Sequence, residues 1–307
     1  MSILLHNRSF YSFLSALTPP GALAGFAARH GMPAIALTDL HGLYAAVPFM
    51  QACREAGVRP IVGTEVQVAL PMDAAPDAAR LTLTLLARNA KGFAALCRLV
   101  SIHHLKEEPL TIADVVAHGE DVICLVGRAA TATVGGQRTA GAGRTVSLDL
   151  LCAGVAPLRA ALSDRLYIEL TLHTRADAVL ARQRAARADE LGLPVVASCA
   201  SRCLSTQDAS TLQALCAIGT LTRLDQPHPD KPIGDHHLRP PDEMRRLFAR
   251  RPDALANTLR IAEQCEFSIA LNRNRFPPFD SPDGRTAMEH LRELSVAGCR
   301  RRYVDEP

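Results

Sequence analysis

The sequence predicts an α/β fold, a barrel of strands alternating with helices, followed by a small helical segment. Three observations carry that prediction. Short apolar runs alternate with amphipathic helical patterns over residues 1–203. The runs are apolar on both sides, as in strands covered by helices on the outside of a barrel. From Leu204 onward the strand pattern stops and only helical patterns remain.

The apolar start is broken early by His6, Asn7 and Arg8, so it reads as a first strand and loop rather than a signal peptide. Thr18-Pro19-Pro20 opens a helix over 22–30, with Thr18 as its cap and proline in the first turn, and Gly31 ends it. Residues 33–38 form a short buried strand, and 43–56 carries apolar residues at helical spacing up to Gly57. Further strands are expected at 61–69, 81–87, 121–126, 166–170 and 194–197, with helices at 90–103, 148–162 and 176–191. Such alternation implies parallel βαβ units with right-handed crossovers. The glycine-rich stretch from Gly135 to Arg144 lacks the spacing of a phosphate loop and reads as a surface loop. Later helices are expected at 207–218, 241–250, 253–265 and 286–302. The polar loop 224–237 marks the boundary, dividing a barrel domain (1–223) from a helical segment (224–307).

Composition narrows the class. A chain of 307 residues with 48% hydrophobic content buries a large core and reads as globular. No apolar run reaches the roughly 18 residues of a membrane helix, so no membrane partner is expected. Nine cysteines, odd in number and without a CxxC pair, suit reduced thiols in the cytoplasm better than a disulfide framework. The net charge is only +3, which does not by itself indicate nucleic acid. The arginine runs at 245–246, 250–251 and 300–302 read as solvated helix faces.

In barrels of parallel strands, chemistry sits at the C-terminal strand ends, where loops project side chains into one mouth. His6, Asp39, His41 and Glu65 all fall at such places. Imidazole and carboxylate are ligands that hold zinc or manganese and lower the pKa of bound water. Each residue alone caps a helix or satisfies a loop as readily as it binds metal; only their joint placement raises the metal reading. His103-His104 and His236-His237 read as surface pairs, and Cys199 and Cys203 as buried structural thiols.

Leu5 to Ser12, Ala36-Leu37-Thr38-Asp39-Leu40-His41-Gly42 and Gly63-Thr64-Glu65-Val66 resemble the metal-site motifs of a PHP (polymerase and histidinol phosphatase) domain. Leu85 to Asn89, Leu96 to Ser101, Arg165 to Leu170 and Leu191 to Ala197 are similar to consecutive segments of the PHP domain that opens bacterial C-family DNA polymerases. Leu238-Arg239, Glu243-Met244, Leu247-Phe248 and Ala254 to Thr258 resemble the helical segment after that domain. Phe276-Pro277-Pro278 and Gly298 to Tyr303 resemble the lead-in to the polymerase core. The order is kept over nearly the whole chain, and Gly42-Leu43-Tyr44 with Phe276-Pro277-Pro278 leans towards the error-prone branch. The resemblance implies a distorted (β/α)7-type PHP barrel.

It also implies a nine-ligand metal site, from which this chain departs. His6 matches the first position of the opening His-x-His motif, but Arg8 holds the second and Ser15 the acid position. Asp39 is kept in the second motif, while Leu40 holds the ligand position and His41 comes one residue late. Glu65 matches its carboxylate. Thr82 and Arg128 stand at the next two ligand positions, and Ala200 and Arg202 fill the closing Asp-x-His. Fixed guanidinium charges at Arg8, Arg128 and Arg202 oppose cations and are expected to pair with Glu65 and Asp39 instead.

The resemblance therefore implies the N-terminal PHP domain of an error-prone polymerase III alpha-like protein, either a fragment or a truncated gene product. It is expected to be a catalytically inactive structural or interaction module in DNA replication or repair synthesis, without a cofactor. Its partners would be a polymerase core or repair-polymerase assembly proteins, with DNA contacted only indirectly. The alternative is an independent metal-dependent phosphoesterase using His6, Asp39, His41 and Glu65 with zinc or manganese.

Overall fold

The structure is a computed structural model that describes residues 2–70, 79–106, 109–131, 148–228, 230–269, 277–282 and 284–303. These divide into two compact units, Met1–Ile269 and Ala270–Pro307. The glycine-rich stretch 135–144 lies outside the described residues.

The first unit is built on one sheet of six strands in the order β1-β2-β3-β4-β5-β6. β1 (Ala34–Leu40) runs parallel to β2 (Arg59–Ala69), and β4 (Val122–Thr131), β5 (Leu166–Thr171) and β6 (Val195–Ser198) run parallel to one another. β3 (Ala79–Ala87) is antiparallel to both of its neighbours, which corrects the expectation of parallel units throughout. The cause is the β2–β3 connection. β2 ends at Ala69 and β3 begins at Ala79, fewer residues than the dozen or so that a parallel crossover needs.

The chain before β1 closes the sheet. Leu4 and Asn7 accept hydrogen bonds through their carbonyls from the amides of Ala36 and Thr38 in β1. On the other side the Arg8 amide donates to the Ser201 carbonyl at 2.9 Å, and the Ser201 amide donates to His6 at 3.1 Å. Residues 4–8 therefore lie between β1 and the chain leaving β6, and the sheet curls into a barrel. Asn7 locks this seam, donating to the Leu4 and Ala36 carbonyls and accepting from the Ser201 hydroxyl.

Helices α1 (Pro20–Arg29), α2 (Ala46–Glu55), α3 (Ala90–Leu105), α4 (Ile112–His118), α5 (Leu148–Leu162) and α6 (Asp177–Glu190) connect the strands, and α7 (Ala209–Gly219), α8 (Pro241–Leu247) and α9 (Pro252–Gln264) follow them. Period-two alternation sorts the strand residues between two cores. Ile35, Leu37, Leu83, Leu85, Cys124, Val126, Ile168 and Leu170 face the helices. Ala34, Ala36, Ile61, Leu86, Ile123, Leu125, Tyr167 and Val196 face inwards, where they meet Ile3, Leu5, Ile261 and Ala262 near the end of α9, and Cys265 just after it. Burying that inner set, at roughly 25 cal/mol per Å² of apolar surface, plugs the N-terminal end of the parallel strands. The chemistry is left to the opposite end.

Two local readings are corrected. Thr18 does not cap α1: Pro19 is the cap residue, no side-chain cap bond forms, and the buried Thr18 hydroxyl has no hydrogen-bond partner among the described residues. Proline at the first helical position supplies the helix start by fixing φ. The additional helix α4 is marked by a capping box, in which Thr111 and Asp114 exchange side-chain and backbone bonds.

In the second unit α10 (Ala287–Arg302) also starts on a capping box, between Thr286 and Glu289. Met288, Leu291 and Leu294 are exposed.

Candidate functional site at the barrel mouth

Glu65 lies inside β2, opposite Leu40 at the C-terminal end of β1 and Thr84 in β3. Arg8 grips it as a fork, with Nε donating to Oε2 at 2.7 Å and Nη2 to Oε1 at 2.6 Å. His6 Nε2 donates to the same Oε2 at 2.8 Å. Its other ring nitrogen, Nδ1, donates to Oε1 of Glu169 in β5 at 2.7 Å. All four residues are 5% exposed or less. An imidazole that donates from both nitrogens carries two protons, so His6 is an imidazolium held between two carboxylates.

The electrostatics follow from this chain of contacts. Burial pushes His6 down, but Glu169 and Glu65 outweigh it and raise the pKa to about 9. Burial pushes Glu65 up, yet Arg8 and His6 hold it well below the ordinary carboxylate range. Glu169 is lowered as well: against its burial stand His6 and a hydrogen bond with Ser198. Two cations and two anions share the pocket, and the sum is zero. Gly127 makes room for it, because a Cβ there would sit 3.0 Å from Glu169 Oε2.

Asp39 stands apart. Its carboxylate accepts from the Ser9 amide at 2.7 Å, the Ser9 hydroxyl at 2.8 Å and the Ser12 hydroxyl at 2.6 Å. The expected Asp39–arginine pair does not form, because the loop after Arg8 wraps three neutral donors around the carboxylate first. Burial raises its pKa despite those bonds.

His41 is in the left-handed region at φ 50°, and its ring stacks on His103 with centroids 3.7 Å apart. His104 Nε2 donates to the His41 carbonyl at 2.8 Å. His103 is thus half-buried against the mouth, while His104 stays exposed as the sequence suggested. Burial and the neighbouring His103 lower His41 to about 3, so it is neutral. His236 is likewise buried, stacked on His173 with centroids 3.8 Å apart, rather than exposed in its loop.

Of the substituted positions, Ser15 accepts from Arg8 Nη1 at 3.3 Å, which places the motif's acid position beside its second histidine position. The Leu40 amide donates to Ser12 Oγ. Thr82 lies in β3 at a register shift between Leu81 and Leu83. Ala200 takes a left-handed φ of 42°. Arg202 bonds the Asp230 carbonyl at 3.3 Å rather than Glu65 or Asp39. Burial and the nearby Arg8 lower its pKa to about 10. The side chain of Arg128 lies outside the described residues.

Sequence reasoning missed Glu169 as a site residue. The signal was present: a carboxylate inside the apolar strand Leu166-Tyr167-Ile168-Glu169-Leu170 is the same anomaly that singled out Glu65. Cys199 and Cys203 are buried, as read, and desolvation raises both thiols to about 11.

The donor set does not fit a divalent ion. Both His6 nitrogens, both Glu65 oxygens and both Asp39 oxygens are engaged by protein partners. A guanidinium occupies the space next to Glu65, and it cannot shed its charge. Among the described residues no group of three His, Cys, Asp or Glu side chains is arranged to hold a metal.

Comparison with known proteins agrees with the motifs. Residues 5–173 match the family described as PHP domain. An error-prone DNA polymerase from Symbiobacterium thermophilum is 34% identical over 97% of this chain, which spans 28% of that protein. The error-prone DNA polymerase of Mycobacterium tuberculosis strain H37Rv gives the same 34% identity, 97% and 28%. A DNA polymerase III subunit alpha from Halalkalibacterium halodurans is 29% identical over 99% of this chain and 26% of its own length. Among solved structures, an amidohydrolase from Chromobacterium violaceum has a TM-score of 0.48 at 14% identity, covering 66% of this chain and 88% of that one.

Proposed function

Since this chain belongs to the PHP domain family, we propose that it is the N-terminal PHP module of an error-prone polymerase III alpha-like protein, serving as a catalytically inactive platform. Its role lies in DNA replication or repair synthesis, in the cytoplasm. Its partner is a polymerase core or a repair-polymerase assembly, and DNA is met only through that partner. In this reading residues 1–223 are the PHP barrel and 224–307 the helical lead-in. The observation that carries the proposal is the Arg8 fork on Glu65 beside the His6 imidazolium. A hydrolytic site of this kind needs a metal to generate its nucleophile and stabilise charge, and here protein cations hold the carboxylates. The alignment over 97% of the chain with an error-prone DNA polymerase supports the assignment to that assembly.

Two measurements test it. The purified chain, given Mn²⁺ or Zn²⁺, is expected to hydrolyse neither p-nitrophenyl phosphate nor 3′-labelled single-stranded DNA. Metal-dependent turnover abolished by His6→Ala would instead establish the phosphoesterase with a reduced site of His6, Asp39, His41 and Glu65. The chain is also expected to co-sediment with a relative's polymerase core from which its own PHP domain has been deleted. No association there would remove the platform role.

A further inference from the structure

We infer that residues 230–239 form a strap beside the barrel mouth, latched by the stacked rings of His173 and His236, and that acid opens this strap while the barrel stays folded. The inference goes beyond the proposed platform role, because it concerns a local opening of the chain and holds whatever the module serves.

The strap leads into α8 and is tied to the barrel by backbone bonds at two places. The His236 carbonyl accepts from the amides of Arg202 at 2.8 Å and Cys203 at 3.2 Å, and the Leu238 amide donates to the Cys203 carbonyl at 3.1 Å. At the second place the Asp235 amide donates to the His173 carbonyl at 3.0 Å, and His173 Nδ1 donates to the Asp235 carbonyl at 2.8 Å. Gly234 makes that approach possible. Its φ is 86°, and a Cβ there would collide with the His173 carbonyl. The Asp230 carbonyl accepts from Arg202 Nη1, which sets the strap beside the mouth.

The His236 ring is sealed between these two ties, 8% exposed and stacked on His173. From the chain after β6 it is faced by the Arg202 guanidinium, and from the turn after β5 by the His173 ring. Arg239 is buried close by, with Nη2 on the Asp235 carbonyl, and the Lys231 amine is held by the Arg223 and Gln226 carbonyls. The nearby carboxylates are committed elsewhere. Asp177 accepts from the His173 and Thr174 amides, Asp235 is exposed, and Glu243 stands against Arg239 and His237.

A buried imidazole surrounded by cations resists a second proton. The carbonyls of Ala200 and Ile233, at 3.4 and 3.3 Å from its ring nitrogens, favour one, but a neutral ring already donates to one of them. Burial, His173 and Arg202 outweigh the two carbonyls and lower the pKa to about 2. Once the strap lifts, the ring returns to its ordinary value of about 6.5. The closed strap is therefore at full stability above that value and loses tenfold in its equilibrium for each pH unit below it. The barrel does not weaken with it over this range, because His6 is shifted in the opposite direction.

The test is hydrogen–deuterium exchange of the whole chain at pH 7 and pH 5, with rates corrected for their intrinsic dependence on pH. Protection of the Arg202, Asp235 and Leu238 amides is expected to fall roughly 25-fold, while amides inside β2 and β5 keep theirs. His236→Phe retains the ring stack without a titrating group and should leave the strap amides equally protected at both pH values. Gly234→Ala should leave them poorly protected at both, and full protection there would overturn the latch. Unchanged wild-type protection overturns the inference, as does a pH dependence that survives in His236→Phe. Loss of protection by strap and barrel together overturns it too, since the strap would then have no opening of its own. If His236→Phe does not fold, NMR titration of His236 in wild type decides. A ring still neutral at pH 5 in molecules with protected strap amides supports the inference; a ring that titrates near 6.5 while they stay protected overturns it.

Discussion

At one end of the barrel Ile3, Leu5, Ile61, Leu125 and Tyr167 close on Ile261 and Ala262 of α9, while at the other His6, Arg8, Glu65 and Glu169 meet as paired charges. Both ends are buried to a similar degree, but they stabilise the fold through different physics. Apolar contacts at the floor are indifferent to pH and forgiving of small volume changes. Paired charges at the mouth are neither, because losing one partner strands another in a low-dielectric pocket. The two ends thus make separable contributions that substitutions can distinguish.

The largest effect is expected from Glu65→Gln, which leaves Arg8 and His6 buried without their shared anion. It should cost about 4 kcal/mol, as broken buried ion pairs do, measured as the shift in urea unfolding at pH 7. A cost under about 1 kcal/mol would show that water, rather than Glu65, compensates these cations.

The next is pH dependence. The folded His6 pKa of about 9 lies above its ordinary 6.5. Its stabilisation is therefore fully present below 6.5 and is lost as pH rises through about 9, about 3 kcal/mol in all. Glu65 and Glu169 are lowered from 4.5, so their contribution is present above that value and fades as pH falls through their folded values. Unfolding midpoints should peak between these limits, and His6→Gln should flatten the alkaline side.

At the floor, Ile61→Val removes one buried methylene and should cost about 1 kcal/mol. The cost should be equal at pH 6 and pH 9; a pH-dependent cost would mean that the two ends are coupled. Smallest is Arg202→Met. This half-buried guanidinium has a single carbonyl contact and sits near Arg8, so its loss should change stability by no more than about 0.5 kcal/mol. That contrast with Arg8 is the sharpest check on which arginine holds the mouth.

Much of the fold was legible because local patterns carried it. Glycine stops at Gly31 and Gly57 placed the ends of α1 and α2, and helix 148–162 matches α5 at both ends. The antiparallel β3 was legible but overlooked: the expected strands 61–69 and 81–87 already leave too short a connection for a parallel crossover. In the site, Glu65 and Arg8 were found through their motif positions, whereas Glu169 lay in the similar segment Arg165 to Leu170 but at no ligand position. The Asp39 partners were missed because Ser9 and Ser12 became donors only once the loop after Arg8 folded over the strand end.

By itself the sequence determined the class of fold, the family and the loss of ligand-type side chains at the mouth, because each is written in residue identity and short-range spacing. Only the tertiary structure decided which charges compensate one another. Glu169 reaches His6 across 163 positions of chain, and Arg8 reaches Glu65 across 57. Pairing over such separations is set by how the strands close into a barrel and by the low dielectric inside it, neither of which exists in an unfolded chain.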